Sequence, residues 1–260
     1  MEDIKITYKK YLEKLKEINL SLNIQLNQPI QQNSTQNILY LNYFHLLEDL
    51  ITEIIKDEST TGIKINLLYD IINNKTPITV LSFITAHKKS SIFANININA
   101  LYSKTFNAMI DAYSYFERDI ICFNKLKDMM KKSIYLKKVT DSDFILNYTD
   151  LLKQIYSNNL EAALITICEA LANTNESVET NFTLANLLTY ISAALELPDV
   201  YVYSKKMLLE LSMIKQDYIK ASEVITDLED MNYANSDVKY YKALIRQKQP
   251  NNILKYMKHL

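Results

Sequence analysis

A single glycine, Gly62, in a chain of 260 residues is the strongest constraint on what this sequence can fold into. Glycine takes positive φ at no steric cost and lets backbone approach a ligand closely. Phosphate-cradling loops, dinucleotide-binding turns and the nucleophile elbow need glycines clustered within a few residues, so the chain contains none of them. Four prolines are the only other strong breakers, and there is no tryptophan. The expectation is an all-α protein, helix after helix joined by short polar turns.

Apolar residues make up 48% of the chain, enough for a sizeable core. The formal net charge of −1 supplies no global field for nucleic acid or an anionic membrane, so no nucleic-acid partner is expected. Cys122 and Cys168 are the only thiols and lie far apart, which argues against a disulfide framework. The first residues, Met1-Glu2-Asp3-Ile4-Lys5, mix charges and do not read as a leader. The least charged stretch, Ser90 to Tyr102, is too short for a bilayer, which needs about 20 apolar residues. No transmembrane segment is expected, and the reading is a cytoplasmic protein. The surplus of Asn, Ile, Lys and Tyr reads as codon bias of an AT-rich genome.

Periodicity places the elements. Ile4, Tyr8, Tyr11, Leu12, Leu15 and Ile18 form one face of a helix ending near Leu20. Ser21 to Thr35, with Pro29, reads as the longest polar loop. A second helix is expected from Gln36 to Lys56, closed by Gly62 as a turn or C-cap. Further helices are expected over 63–72, from Thr76-Pro77 to His87, over 95–116 and over 120–138. In the second half Asp141 reads as the N-cap of a helix over 144–156. Helices over 159–172, 178–195, 199–213, 217–231, 236–247 and 251–259 follow, with Pro198 stopping and restarting the chain. About a dozen helices at intervals of about 20 residues is the pitch of stacked helical hairpins. Residues 1–60 read as an N-terminal helical segment, and 61–260 as a helical-repeat solenoid continuous with it.

Two hairpins carry half of a repeat pattern. Asn158-x-Leu160-x-x-Ala163-x-x-x-Ile167-x-x-Ala170 places small residues where helices cross and an aliphatic residue between them. Gln216-x-Tyr218-x-x-Ala221-x-x-x-Ile225-x-x-Leu228 does so again, with Leu228 in the last small position. Both resemble second helices of the tetratricopeptide repeat, with Asn158 where that family has glycine. The first helices lack the family's Trp/Leu-Gly signature, and the spacing from Ala163 to Ala221 is not a multiple of 34 residues. The resemblance implies a right-handed α-solenoid of antiparallel helical hairpins, in degenerate form. Val238-Lys239-Tyr240-Tyr241 and Ile253-Leu254-Lys255-Tyr256 are similar to two steps in the epsilon-subunit family of coatomer, which implies a subunit of a vesicle coat.

Chemistry is sparse. His45, His87 and His259 fall on separate elements with no second ligand at metal spacing. Cys122 and Cys168 have apolar neighbours and read as small core residues. Asp141-x-Asp143 could offer oxygens to a hard cation, but two acids at a helix start are favoured by the macrodipole alone. Glu48-Asp49 and Glu229-Asp230 are adjacent on helices and share no face. No catalytic residue, metal site or cofactor is expected. Lys125, Lys127, Lys131, Lys132, Lys137 and Lys138, offset only by Asp128, form a candidate basic interaction patch. The plainer reading is a solvated face whose Leu126, Met129, Met130 and Ile134 pack inward. The 19 tyrosines suit interfaces but must also do core packing in a chain without tryptophan.

The sequence therefore points first to a non-enzymatic scaffold that holds a protein or peptide partner, with a coat or trafficking subunit as its sharpest form. A tetratricopeptide-like peptide-sensing regulator is the alternative. An all-α enzyme gathering His45 or His87 with distant carboxylates is third.

Overall fold

In the computed structural model, residues 4–26, 34–57, 61–71, 94–115, 120–173, 176–233 and 235–248 are described. Among them are twelve helices and no strand. They fall into two compact units, Met1–Ser133 with Thr140–Ser157, and Ile134–Val139 with Asn158–Leu260. Helices expected over Thr76 to His87 and 251–259 lie outside the described residues, as do His87, His259 and the side chain of Cys122.

The first unit holds α1 (Ile4–Leu26), α2 (Ser34–Lys56), α3 (Thr61–Asp70), α4 (Ile98–Tyr115), α5 (Ile120–Met130), α6 (Ser142–Asn147) and α7 (Thr149–Tyr156). α1 packs on α2, while α4 is the hub, touching α2, α3, α5 and α7. The apolar stripe of α2, with Leu47, Leu50, Ile51 and Ile54, is fully buried, as are Phe106, Met109 and Ile110 of α4. Stacked aromatic pairs add to this packing. Phe106 stacks on Tyr156 with centroids 3.8 Å apart, and Phe144 on Tyr148 at 4.7 Å. Lys153 of α7 bridges to Asp111 of α4 at 2.6 Å, and the Tyr8 hydroxyl of α1 donates to Asp70 at the end of α3.

Three expectations are corrected here. α1 runs on to Leu26, well past Leu20, and takes in the first residues of the expected loop. Polar residues do not themselves end a helix: the Ser21 hydroxyl donates back to the Glu17 carbonyl at 3.0 Å and stays within it. Gly62 is not a C-cap; it lies in the first turn of α3, and no described glycine has positive φ. The helix expected over 120–138 stops at Met130. Lys131 to Lys138 form turns, with Ser133 N–H bonding to the Met130 carbonyl and Val139 N–H to that of Leu136.

Asp141 caps α6, its carboxylate accepting from Asp143 N–H at 3.0 Å, which is the N-cap role rather than a cation site. The helix it starts is interrupted at Tyr148 before α7 begins.

Burial has a consequence at high pH. Tyr43 and Tyr156 are pushed up from 10.0 to about 12 by burial, with Tyr102 adding to the effect at Tyr156. Between pH 10 and 12 the unfolded chain releases these protons while the folded chain keeps them, so stability is full below pH 10 and falls above it. Phenolate absorbance followed alongside circular dichroism should show these two rings ionising only as the helices melt. Complete tyrosine titration near pH 10 with the helical signal intact would contradict the burial.

The second unit holds the turn segment Ile134–Val139 and then α8 (Leu160–Ala172), α9 (Val178–Ala194), α10 (Pro198–Ile214), α11 (Tyr218–Asp230) and α12 (Ser236–Lys248). The main packing runs between sequence neighbours: α8 on α9, α9 on α10, α10 on α11, α11 on α12. Each start has local chemistry behind it. Asn159, Ser177 and Asp217 accept from backbone N–H groups of the first turns of α8, α9 and α11, and Pro198 opens α10.

The ends are made without glycine. Asn158, Glu196, Gln216 and Asn232 each take φ between 55° and 59°, just past the ends of α7, α9, α10 and α11. At Glu196 the paired bonds of a Schellman motif follow, Glu196 N–H to Ala193 O at 3.2 Å and Leu197 N–H to Ser192 O at 2.9 Å. The same pair recurs at Gln216–Asp217 and Asn232–Tyr233.

Small polar side chains are buried on α9 and α10: Ser192, Ser204 and Ser212 have no exposed surface. The Thr189 hydroxyl lies 2.9 Å from both Ser204 Oγ and the Ala185 carbonyl. One lysine–carboxylate bridge crosses each of the last three interfaces. Lys215 meets Glu179 at 2.5 Å, Lys205 meets Asp227, and Lys242 clamps both oxygens of Glu229 at 2.7 Å. Burial disfavours the charge on Lys205, but its bond to Asp227 and the carboxylate's field outweigh that and raise its pKa.

Candidate functional site

The six lysines of the candidate basic patch do not form one set of open cations. On α5, Lys125 donates to Asn66 and lies 5.6 Å from the Tyr69 ring centroid, and Lys127 sits 5.7 Å over Phe123. Lys131 pairs with Asp128 at 2.8 Å. Burial lowers the pKa of Lys132 against the opposing pull of Asp128. Lys137 and Lys138 are exposed and belong to the segment counted with the second unit. Leu126, Met129 and Met130 are buried, but Ile134, expected to pack inward with them, is 68% exposed because the helix has ended four residues earlier.

Of the residues at repeat-packing positions, Ala163, Ile167, Ala221 and Ile225 are buried and Ala170 and Tyr218 half-buried. Ala221 and Ile225 join Leu208, Val224 and Leu228 in one apolar cluster, with Tyr218 at its edge. Asn158 and Gln216, which head the two patterned segments, both have positive φ.

His45 is exposed on α2, its Nδ1 3.6 Å from Glu48. Cys168 is exposed on α8, a correction to its reading as a core residue: the helix turns it away from the face carrying Ala163 and Ile167. No group of three potential metal ligands exists among the described residues. No helix among them is long and apolar enough to cross a membrane.

What sequence reasoning missed is a groove of about 350 Å³ in the second unit. One wall is α9, which presents Phe182, Asn186 and Tyr190 at a spacing of four, one face of the helix. The facing wall is the first turns of α11, with Lys220 and Glu223 paired at 3.1 Å beside the capping Asp217. The turn segment closes it with Tyr135, Lys138 and Val139. α9 thus uses two faces: Leu184, Ala185, Leu188 and Ile191 go into the core, while Phe182, Asn186 and Tyr190 line the groove.

The aromatic floor is held in place electrostatically. Lys215 Nζ lies 4.4 Å over the Phe182 ring while paired to Glu179. Among the described residues Lys138 has no ion pair, leaving one cation at the mouth. Such a site can stack apolar or aromatic groups and hydrogen-bond a backbone. Its lining includes no histidine or cysteine. Searched against known protein families, curated proteins and solved structures, the chain matches none.

Proposed function

We propose that this chain is a non-enzymatic scaffold of the α-solenoid type, which holds an extended segment of a partner protein in the groove between α9 and α11. The observation that carries the reading is that two alternate helices, α9 and α11, line a groove with the rings of Phe182 and Tyr190 and the amide of Asn186. Stacking of hairpins through sequence neighbours produces such grooves, because every second helix faces the same way. The interleaving of Phe182, Asn186 and Tyr190 suits a peptide: rings take its side chains and the amide its backbone. Membership of a larger assembly, a vesicle coat among them, is the same reading with a constitutive partner.

Affinity purification of the tagged chain, followed by size-exclusion chromatography, tests it. A stoichiometric complex should form with the native chain and be lost when Tyr190→Asp places a charge in the groove. Tyr190 is 36% exposed, so this substitution leaves the core intact. A complex that survives Tyr190→Asp with unchanged stoichiometry would place the partner elsewhere and sink the groove as the binding site.

A further inference from the structure

The walls of the groove between α9 and α11 have spent most of their polar groups on their own helices. The Asn186 amide donates through Nδ2 to the Phe182 carbonyl at 2.9 Å, and the Thr183 hydroxyl donates to the Glu179 carbonyl at 3.1 Å. With those donors used inside the helix, α9 offers a second segment an acceptor, Asn186 Oδ1. Both carboxylates of the groove are engaged as well. Asp217 accepts from Lys220 N–H at 3.0 Å, and Glu223 pairs with Lys220 Nζ at 3.1 Å. Lys138 is the one charged lining group with neither an ion pair nor a hydrogen bond among the described residues, and Lys137 beside it is exposed too.

The pitch of the α9 wall selects the shape of what lies on it. Phe182, Asn186 and Tyr190 are four residues apart, hence about 6 Å apart along the helix axis. Alternate residues of an extended chain are about 6.6 Å apart and point the same way. A strand-like segment laid along α9 therefore sets residues i and i+4 on the two rings. Its backbone near i+2 then passes Asn186 Oδ1, which can accept one of its N–H groups.

Resting on the groove as the binding site, we infer that its occupant is an acidic linear segment. Large apolar side chains at i and i+4 lie against Phe182 and Tyr190, and an Asp or Glu next to that pair meets Lys138. A basic segment would bring its cation to an unneutralised Lys138 and find Asp217 and Glu223 already engaged. A phosphorylated segment, with its heavier charge, would be served by a guanidinium fork, and no arginine lines the groove.

Random linear peptides displayed on phage and selected on the purified full chain test this, with every binder counter-screened on Tyr190→Asp. Binders lost on that variant occupy the groove. Among them Asp or Glu should be enriched at one fixed offset from two apolar residues four apart. Lys138→Glu, at an exposed position, should weaken such a peptide about fivefold or more at low salt. Replacing the peptide's acid with lysine should restore affinity for that variant. Lys239→Glu, the same charge change on exposed α12 surface, should leave binding unchanged. Groove binders without the acidic enrichment, or indifferent to Lys138→Glu, would overturn the acidic partner and leave the groove reading standing. Binders that all survive Tyr190→Asp, or no binders at all, would overturn the groove reading and this inference with it.

Discussion

Phe106→Ala is expected to destabilise the first unit by about 3–5 kcal/mol, the range for removing a large buried aromatic side chain. Phe106 has no exposed surface, its ring lies at 11° to that of Tyr156, and it sits on the helix that contacts α2, α3, α5 and α7. The flanking Met109 and Ile110 are themselves fully buried, so little is free to move into the hole. In urea, with a slope of about 1–3 kcal/mol/M, the unfolding midpoint of this unit should fall by about 2 M without a change in slope. Tyr156→Phe, which keeps the stacking and removes only the hydroxyl, should cost far less. A Phe106→Ala midpoint within experimental error of the native one would mean that the ring is not held as described.

The second large effect goes the other way. Replacing both Glu196 and Gln216 with glycine is expected to stabilise the second unit by about 1–2 kcal/mol. A residue with a Cβ in the left-handed region costs about 1–2 kcal/mol. Against that stands glycine's greater freedom in the unfolded chain, about 0.5–1 kcal/mol, which leaves a gain at each site. Asn158 and Asn232 should gain less, because asparagine visits this region more readily than Glu or Gln. Thermal melts of the double variant read the sum. A lower Tm would show that the Glu196 and Gln216 side chains contribute more than their backbone strain costs.

These positions also show where the sequence was legible and where it was not. Asp141 and Pro198 announce helix starts, because cap chemistry is local and a carboxylate or a fixed φ acts within one turn. Helix ends were harder to read. The lone glycine reads as an end and lies inside α3, while Glu196 and Gln216 close helices with side chains that carry no such signal. There the left-handed turn joins two helices that pack on each other, α9 on α10 and α10 on α11. Ile134 fails for a related reason: the helical period continues past Met130 in the sequence, but the chain turns to bury Leu136 and Val139. The groove was half legible, in the spacing of Phe182, Asn186 and Tyr190. Its other walls come from residues far away in sequence, and no pattern within α9 could name them.

The neighbour-to-neighbour packing from α8 to α12 bears on how the second unit assembles. Contacts that close only short loops carry little entropic penalty, so folding should be fast for a chain of this size. Order can start at any hairpin and spread along the row. Wherever folding starts, α12 stands at the end of the row with α11 as its one main partner, and that interface is the smallest of the four. The row should therefore lose structure from that end first, with the bond between Lys242 and Glu229 opening well before that between Thr189 and Ser204.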